Sequence, residues 1–172
     1  MVEFDMNKVD WGSLQNPGNM FTHFKPTDDK LLKLSQHLYE DYLNLSDENR
    51  DYRLIHAMNQ MYFAGPNLNL FYEIGDFGGL LGFADIIPTF KGTVLFKIWD
   101  KKIWNSRFLR QSRKLIDSVM SEFKLRRLSS ETPDVRMVKM AGKAGFKLEC
   151  AQKNAFLWDG KLMKNFVLGI TR

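Results

Sequence analysis

Basic side chains crowd one point of the sequence, where a strand-like run gives way to a helical one. Hydrophobicity alternates over 94–99, and helical spacing of apolar residues begins near Asn105. The first turns of this predicted helix contain four cations: Arg107, Arg110, Arg113 and Lys114. Amides at a helix start lack partners within the helix, and the dipole is positive there, so a phosphate would relieve the repulsion among these cations. The alternative is that the long basic side chains simply extend into water.

The other residue types that commonly do chemistry give weaker signals. Cys150 is the only cysteine, which excludes an intrachain disulfide, and a small core residue is a more frequent role for it than a nucleophile. His23, His37 and His56 lie in the first third of the chain without the spacing of metal ligands. The sequence therefore predicts no metal site.

Composition indicates an ordinary globular protein that has a proper core. Hydrophobic residues make up 44% and charged residues 26% of the chain, which excludes a disordered polymer. The net charge of +5 favours an anionic partner only weakly, because a charged surface also serves solubility. No apolar run approaches the roughly 20 residues that span a bilayer. The acidic start, with Glu3 and Asp5, does not resemble a signal peptide, so we expect a cytoplasmic location and no membrane partner.

The elements that must position the basic helix follow from periodicity and from glycine and proline breaks. Residues 1–19 are expected to be irregular. The predicted strands are 20–25, 68–74, 80–87, 94–99, 128–131, 146–150, 156–158 and 162–170. The predicted helices are 27–45, 46–62, 105–123 and 134–144. Without a repeat or linker, this order indicates a single α/β domain over 1–172.

Five stretches within 68–172 resemble the GNAT N-acetyltransferase superfamily, especially the branch that acetylates protein N-termini and small amines. They are the strands VLFKIWD and RLSSETPD, the helices NSRFLRQSRKLIDSVMSEF and VRMVKMAGKAGFKLE, and the closing hairpin AFLWDGKLMKNFVLGI. The element order β-α-α-β-β-β-α-β-α-β-β is similar as well. The resemblance implies an α+β fold with a mixed central sheet flanked by helices.

The resemblance also implies a cofactor, acetyl-CoA or CoA, with no metal. In the family, the strand matching 94–99 splays from its neighbour and offers backbone groups to the pantetheine arm. The loop that follows wraps the pyrophosphate with backbone N–H groups. The residues of this sequence that match these cofactor-binding positions are Ile98, Trp99, Ser106, Arg107, Phe108, Leu109 and Arg110.

Acyl transfer requires a neutral amine, and a carboxylate or a water chain usually takes its proton. Glu73 and Asp85, on the two strands of the first hairpin, are the predicted catalytic carboxylates, and Asp100 lies at the mouth of the cofactor strand. Each also suits an ordinary role at a strand end or edge. The implied acceptor is an amine on a small molecule or at a protein N-terminus.

Three positions depart from the family pattern. The stretch Asn105-Ser106-Arg107-Phe108-Leu109 lacks the family's glycines, so Phe108 and Leu109 are expected to crowd the pyrophosphate loop. Ala141 stands where a tyrosine often protonates the thiolate, and Asp134 stands where an asparagine commonly opens the last helix.

Three functions are therefore open. The first is an acetyl-CoA-dependent N-acyltransferase. The second is a GNAT-fold protein without catalysis that binds a protein partner; small GNAT-like chains with glycine-free loops and basic helices occur among tailed-bacteriophage assembly and virion proteins. A phage-encoded member would act in the host cytoplasm or virion. The third, nucleic-acid binding through 101–114 and Arg126-Arg127, has the charge but no recognised module, and we expect it least.

Overall fold

The structure, a computed structural model, describes residues 4–15, 17–18, 20–41, 68–158 and 161–172. The predicted helix 46–62 lies outside the described residues. The described helices are α1 (Trp11–Gln15), α2 (Asp28–Asp41), α3 (Ser106–Glu122) and α4 (Val135–Lys143), with short 3-10 turns at Met6–Lys8 and Lys101–Ile103. The described strands are β1 (Phe21–His23), β2 (Leu68–Ile74), β3 (Gly79–Ile87), β4 (Lys91–Ile98), β5 (Arg127–Thr132), β6 (Lys147–Trp158) and β7 (Lys161–Thr171).

The seven strands form one mixed sheet in the order β1-β2-β3-β4-β5-β7-β6. The β4–β5 pair is parallel, and the five other neighbouring pairs are antiparallel. Helix α3 makes the crossover between the two parallel strands, as such a connection requires. The mixed sheet flanked by helices confirms the predicted fold class.

Helices cover the sheet on opposite faces, with a separate apolar core on each. The larger core joins α3, α4 and the N-terminal segment to alternate residues of β2, including Leu70, Tyr72 and Ile74. The smaller core places Leu34 of α2 against Phe71, the residue between two of these, together with Phe77 and Leu80. This alternation follows from the two-residue period of a strand. The two faces of the sheet therefore carry different cores.

Two sequence expectations about elements were wrong. Within the segment 1–19, residues 6–8 and 11–15 are not irregular: Asp5 and Asp10 accept hydrogen bonds from the amides of Asn7 and Ser13, which fixes a 3-10 turn and helix α1. Apolar side chains of this N-terminal segment pack on the larger core, where the Trp11 ring lies 5.9 Å from the Phe123 ring. The second error concerns β6, which is one strand where two were expected, because a bulge near Asn154 bends it without ending it.

The end of α4 gives a stability test with a matched control. Gly145 has φ +101°, which side chains disfavour, and an added Cβ would meet Arg113 Nη1 at 1.5 Å. We expect Gly145→Ala to lower the free energy of unfolding by about 1–3 kcal/mol. Gly142→Ala, with open space around the new Cβ, should raise it by up to about 1 kcal/mol because alanine favours the helix. Chemical denaturation measures both changes, and equal signs would contradict the expectation.

Candidate functional site

A V-shaped gap opens in the middle of the sheet. Strand β4 pairs with β3 along its length, from Ile87↔Lys91 to Gly79↔Ile98. Its pairing with β5 covers only Lys91–Thr93 against Arg127–Ser129. Beyond Thr93 the two parallel strands diverge, so the backbone edge of β4 that faces β5 has no strand partner within the described sheet. The splayed strand expected from the sequence is present.

An apolar cavity fills the gap on the side of α3 and α4. Phe96 of β4, Phe108 and Leu109 of α3, and Met140 and Ala141 of α4 are among the residues that line it. Its volume is about 30 Å³, whereas one water molecule needs roughly 10–15 Å³ on that measure. The cavity therefore has room for about two waters in this conformation, and a longer apolar group would need the lining side chains to move.

The start of α3 lies next to this cavity, since Trp104, Phe108 and Leu109 are among the residues that line it. Asn105 caps the helix: its Oδ1 accepts from the amide of Phe108 at 2.9 Å, and its carbonyl accepts from the amide of Leu109 at 3.2 Å. Of the four amides predicted to bind pyrophosphate, only those of Ser106 and Arg107 have no acceptor among the described residues. The cap therefore leaves two amides of the predicted loop free, and their part in cofactor binding stays a prediction.

The cations predicted at this helix start divide into two groups. Arg107, Arg110 and Lys114 are exposed, and of these Arg107 and Arg110 lie in the first turns, close to the free amides. Arg113 has a structural role, since its Nε lies 3.1 Å from Asp117 Oδ2 and its Nη1 donates to the carbonyl oxygen of Ala144. The arrangement of free amides and exposed arginines at a helix N-terminus suits a phosphate-bearing anion.

Phe108 and Leu109 border the cavity, whereas Ser106 and Arg107 at the helix start are exposed. The Phe108 side chain is 4% exposed, and its ring lies 5.5 Å from the Trp104 ring and 6.1 Å from the Phe21 ring. Crowding by these two residues was expected at the pyrophosphate. The structure places both side chains at the cavity between β4, α3 and α4.

The structure separates the two predicted cofactor residues of the strand end. Ile98 packs against the larger core, on the cavity side. Trp99 lies on the α2 face, where its ring stacks on His37 at 4.5 Å and its Nε1 donates to the carbonyl oxygen of Phe77 at 2.9 Å. The Trp99 amide donates to the carbonyl oxygen of Gly78. Its donors are therefore directed to the β2–β3 turn and away from the cavity.

The two predicted catalytic carboxylates lie far apart. Glu73 is 7% exposed on the α2 face, and its Oε1 lies 2.5 Å from Lys30 Nζ. Asp85 is exposed at the other end of the hairpin, with φ +52° at an irregularity in β3. Glu73 pairs with Leu80 of β3, and Asp85 is five residues further along that strand. At 3.3 Å per residue, the backbones of the two acidic residues are therefore about 16 Å apart. Each stays a prediction, and they do not form one site.

One carboxylate beside the gap was missed by sequence reasoning. Glu131 is exposed on β5, and its Oε2 accepts a hydrogen bond of 2.8 Å from Nδ2 of Asn165. Asn165 belongs to β7 and is only 8% exposed. The stretch Ser129-Ser130-Glu131 contained one signal, namely a charged residue in a short predicted strand. Where Glu131 lies relative to the gap depends on strand register, which the sequence alone does not give.

The remaining sequence signals have simple outcomes. Cys150 is exposed on β6, so the expectation of a core cysteine was wrong. Within the described residues, no group of three or more His, Cys, Asp or Glu is placed to hold a metal ion. No described helix combines the length and apolar character needed to cross a membrane. Asp134 caps α4 through the amide of Arg136, and the Arg136 guanidinium that it binds lowers the pKa of its carboxyl.

Comparison with known proteins finds likeness in structure alone. No protein-family model and no curated protein sequence matches the chain. Similar solved structures include RimL, the ribosomal L7/L12 α-N-protein acetyltransferase, in complex with coenzyme A, at 14% identity and TM-score 0.65 over 91% of this chain and 97% of that chain. The Salmonella typhimurium acetyltransferase that modifies the N-terminal serine of L7/L12 has 15% identity and TM-score 0.64, covering 92% of this chain and 98% of its own.

Spermidine N-acetyltransferase from Vibrio cholerae, in complex with CoA and spermine, is also similar, at 13% identity and TM-score 0.62 over 90% of this chain and 96% of that chain. These identities establish the fold and nothing finer. The chain therefore has the GNAT-like acetyltransferase fold that the five sequence stretches predicted.

Proposed function

We propose that this protein binds acetyl-CoA in the gap between β4 and β5 and transfers the acetyl group to a primary amine. The observation that carries the proposal is the gap itself, which leads from the free amides of Ser106 and Arg107 into an apolar cavity in the sheet. An acyl thioester with a phosphate-rich end has the chemistry to match both parts. The similar structures that contain CoA support this assignment.

The residues at the gap fit the two ends of such a molecule. The amides of Ser106 and Arg107, with the guanidinium groups of Arg107 and Arg110, would hold the phosphates. On the edge of β4 that has no strand partner, up to Ile98, backbone N–H groups would donate hydrogen bonds to the amide carbonyls of the arm, and backbone carbonyls would accept them from its amide N–H groups. Phe108 and Leu109 must then rotate or shift to admit the arm. When bound, acetyl-CoA supplies an activated acetyl group.

The acceptor is proposed to be an amine because the similar structures include enzymes for spermidine and for protein N-termini. We propose a cytoplasmic site of action, where acetyl-CoA is available.

Thermal shift and product analysis test the function together. At 100 times its dissociation constant, a ligand that binds only the folded state adds about 2.7 kcal/mol of stability. We expect CoA and acetyl-CoA each to raise the melting temperature. Mass spectrometry of acetyl-CoA mixed with amines and peptides should detect acetylated product above the uncatalysed background. No stabilisation at millimolar CoA would exclude the proposed function.

One observation favours a second function, namely that the cavity has room for only about two waters and is bordered by the buried Phe108 ring. A chain with this fold that no longer admits the arm would act by binding a protein partner, for example in bacteriophage assembly. That function predicts no CoA binding and no acetyl transfer, so the same two measurements separate it from the enzyme.

A further inference from the structure

The gap gives access to a second face of the sheet, on which Glu131 stands. Leu128 and Ser130 are buried on the face covered by α3 and α4. Since side chains alternate along a strand, Glu131 belongs to the opposite face. It is two residues beyond Ser129, the last residue of β5 that pairs with β4, which places it about 7 Å into the gap at 3.3 Å per residue.

Asn165 holds the Glu131 carboxylate in one orientation. The Asn165 side chain is 8% exposed, and its Nδ2 donates to Oε2 of Glu131 at 2.8 Å. A buried amide has few alternative rotamers, so the carboxylate that it binds is also restrained. The hydrogen bond engages Oε2, and Oε1 has no partner among the described residues.

Among the described residues, no cation forms an ion pair with Glu131. The described strands contain three glutamates, and two of these are in ion pairs: Glu73 with Lys30 and Glu149 with Arg127. The third, Glu131, has only the neutral amide of Asn165 as a partner in the part of the chain that the structure describes. One uncompensated negative charge beside the gap is complementary to a ligand with one positive charge.

We propose that Glu131 binds the acceptor's ammonium group and removes its proton, that Asn165 positions Glu131, and that the acceptor carries a single positive charge. The proposal rests on the proposed acetyltransferase function, because the thioester would reach the gap from the α3–α4 face. An α-amino group is the acceptor of this class that loses its proton most readily, with an ordinary pKa of about 7.7–8.0 against about 10.4 for a lysine amine.

The transfer is balanced in atoms and charge. One proton of the ammonium passes to the Glu131 carboxylate, which frees the nitrogen lone pair. The nitrogen bonds to the acetyl carbon as the carbon–sulfur bond breaks, and the sulfur takes the second proton directly or through water. Glu131 later returns its proton to solvent.

The test uses a short peptide with a free N-terminal serine, the same peptide with a blocked N-terminus, and spermidine. We expect wild type to bind the free peptide and neither of the others, as measured by NMR titration with and without CoA. Glu131→Gln should weaken peptide binding at least about tenfold and lower the transfer rate at least about a hundredfold, with CoA affinity unchanged. Glu149→Gln, the matched control on β6, should leave both unchanged.

Asn165→Ala separates positioning from a purely structural role. Loss of its hydrogen bond frees the Glu131 carboxylate to rotate out of position, so kcat should fall while CoA affinity stays unchanged. Unfolding monitored in parallel shows whether the variant is folded.

The outcomes distinguish this proposal from the proposed function. If CoA binds and transfer occurs but Glu131→Gln matches wild type, or if Glu73→Gln or Asp85→Asn costs more, Glu131 is not the base and the enzyme stands. Preferred binding of spermidine overturns the single-charge assignment. If CoA does not bind, the proposed acetyltransferase function fails. In that case the CoA-free titration still tests Glu131: if Glu131→Gln binds the peptide as well as wild type does, the assignment of Glu131 to the ammonium group fails too.

Discussion

Replacing Arg107 and Arg110 together by glutamate should abolish CoA binding while the unliganded protein stays as stable as wild type. Both side chains are exposed in the first turns of α3, beside the free amides of Ser106 and Arg107. Charge-assisted hydrogen bonds contribute about 1.5–3 kcal/mol each. Losing two of them, with repulsion added, should weaken binding by at least about a hundredfold, since 1.4 kcal/mol is a factor of ten.

The stability of the unliganded variant has a definite expected sign. Glutamate near a helix N-terminus interacts favourably with the dipole, whereas arginine does not. The melting temperature without ligand should therefore stay the same or rise slightly, so lost binding could not be attributed to unfolding. Isothermal titration calorimetry gives the affinity, and differential scanning calorimetry gives the melting temperature.

The matched control replaces Lys153 and Lys164 by glutamate, which changes the net charge equally on the exposed β6–β7 hairpin. CoA affinity should be nearly unchanged in this control at physiological salt, where charges more than about 8 Å away are largely screened. Equal loss in both variants would show that overall charge attracts CoA and that α3 does not hold its phosphates.

Local patterns predicted much of the sheet because its strands carry both periodicity and breaks. The run 68–74 ends at Gly75 and was predicted with the bounds that β2 has, Leu68–Ile74. Helix 105–123 was predicted within one residue of α3 at each end, because its apolar residues recur at helical spacing up to Phe123. The merged strand β6 was missed since a bulge resembles a turn in sequence.

The site was harder to predict, because its geometry depends on contacts between distant residues. The residue types around Asn105 did not reveal that its side chain would accept a hydrogen bond from the Phe108 amide, which had been predicted to bind phosphate. Trp99 was placed with the cofactor strand, but the strand end turns its ring toward His37 of α2. Glu131 gained significance only from the register that ends β4–β5 pairing at Ser129.

Phe108→Ala should change stability and cofactor affinity in opposite directions. The Phe108 ring is 4% exposed and packs between Trp104 and Phe21, so its loss should cost about 3–5 kcal/mol of unfolding free energy. For a domain of this size the melting temperature should fall by about 6–20 °C, at about 2–4 °C per kcal/mol. Most domains are stable by about 5–15 kcal/mol, so the variant should still fold at low temperature.

The same substitution should tighten CoA binding, because the arm would no longer have to displace the ring from the cavity. A gain of about 1.4 kcal/mol would appear as a tenfold lower dissociation constant. Phe90→Ala is the control: that ring is 56% exposed in the β3–β4 turn, and its loss should alter neither quantity much. If Phe108→Ala is destabilised as expected and gains no affinity, then the ring does not block the arm. A different result is that wild type binds no CoA and Phe108→Ala does. The Phe108 side chain would then be what closes the cofactor site, and the protein would work by binding a partner.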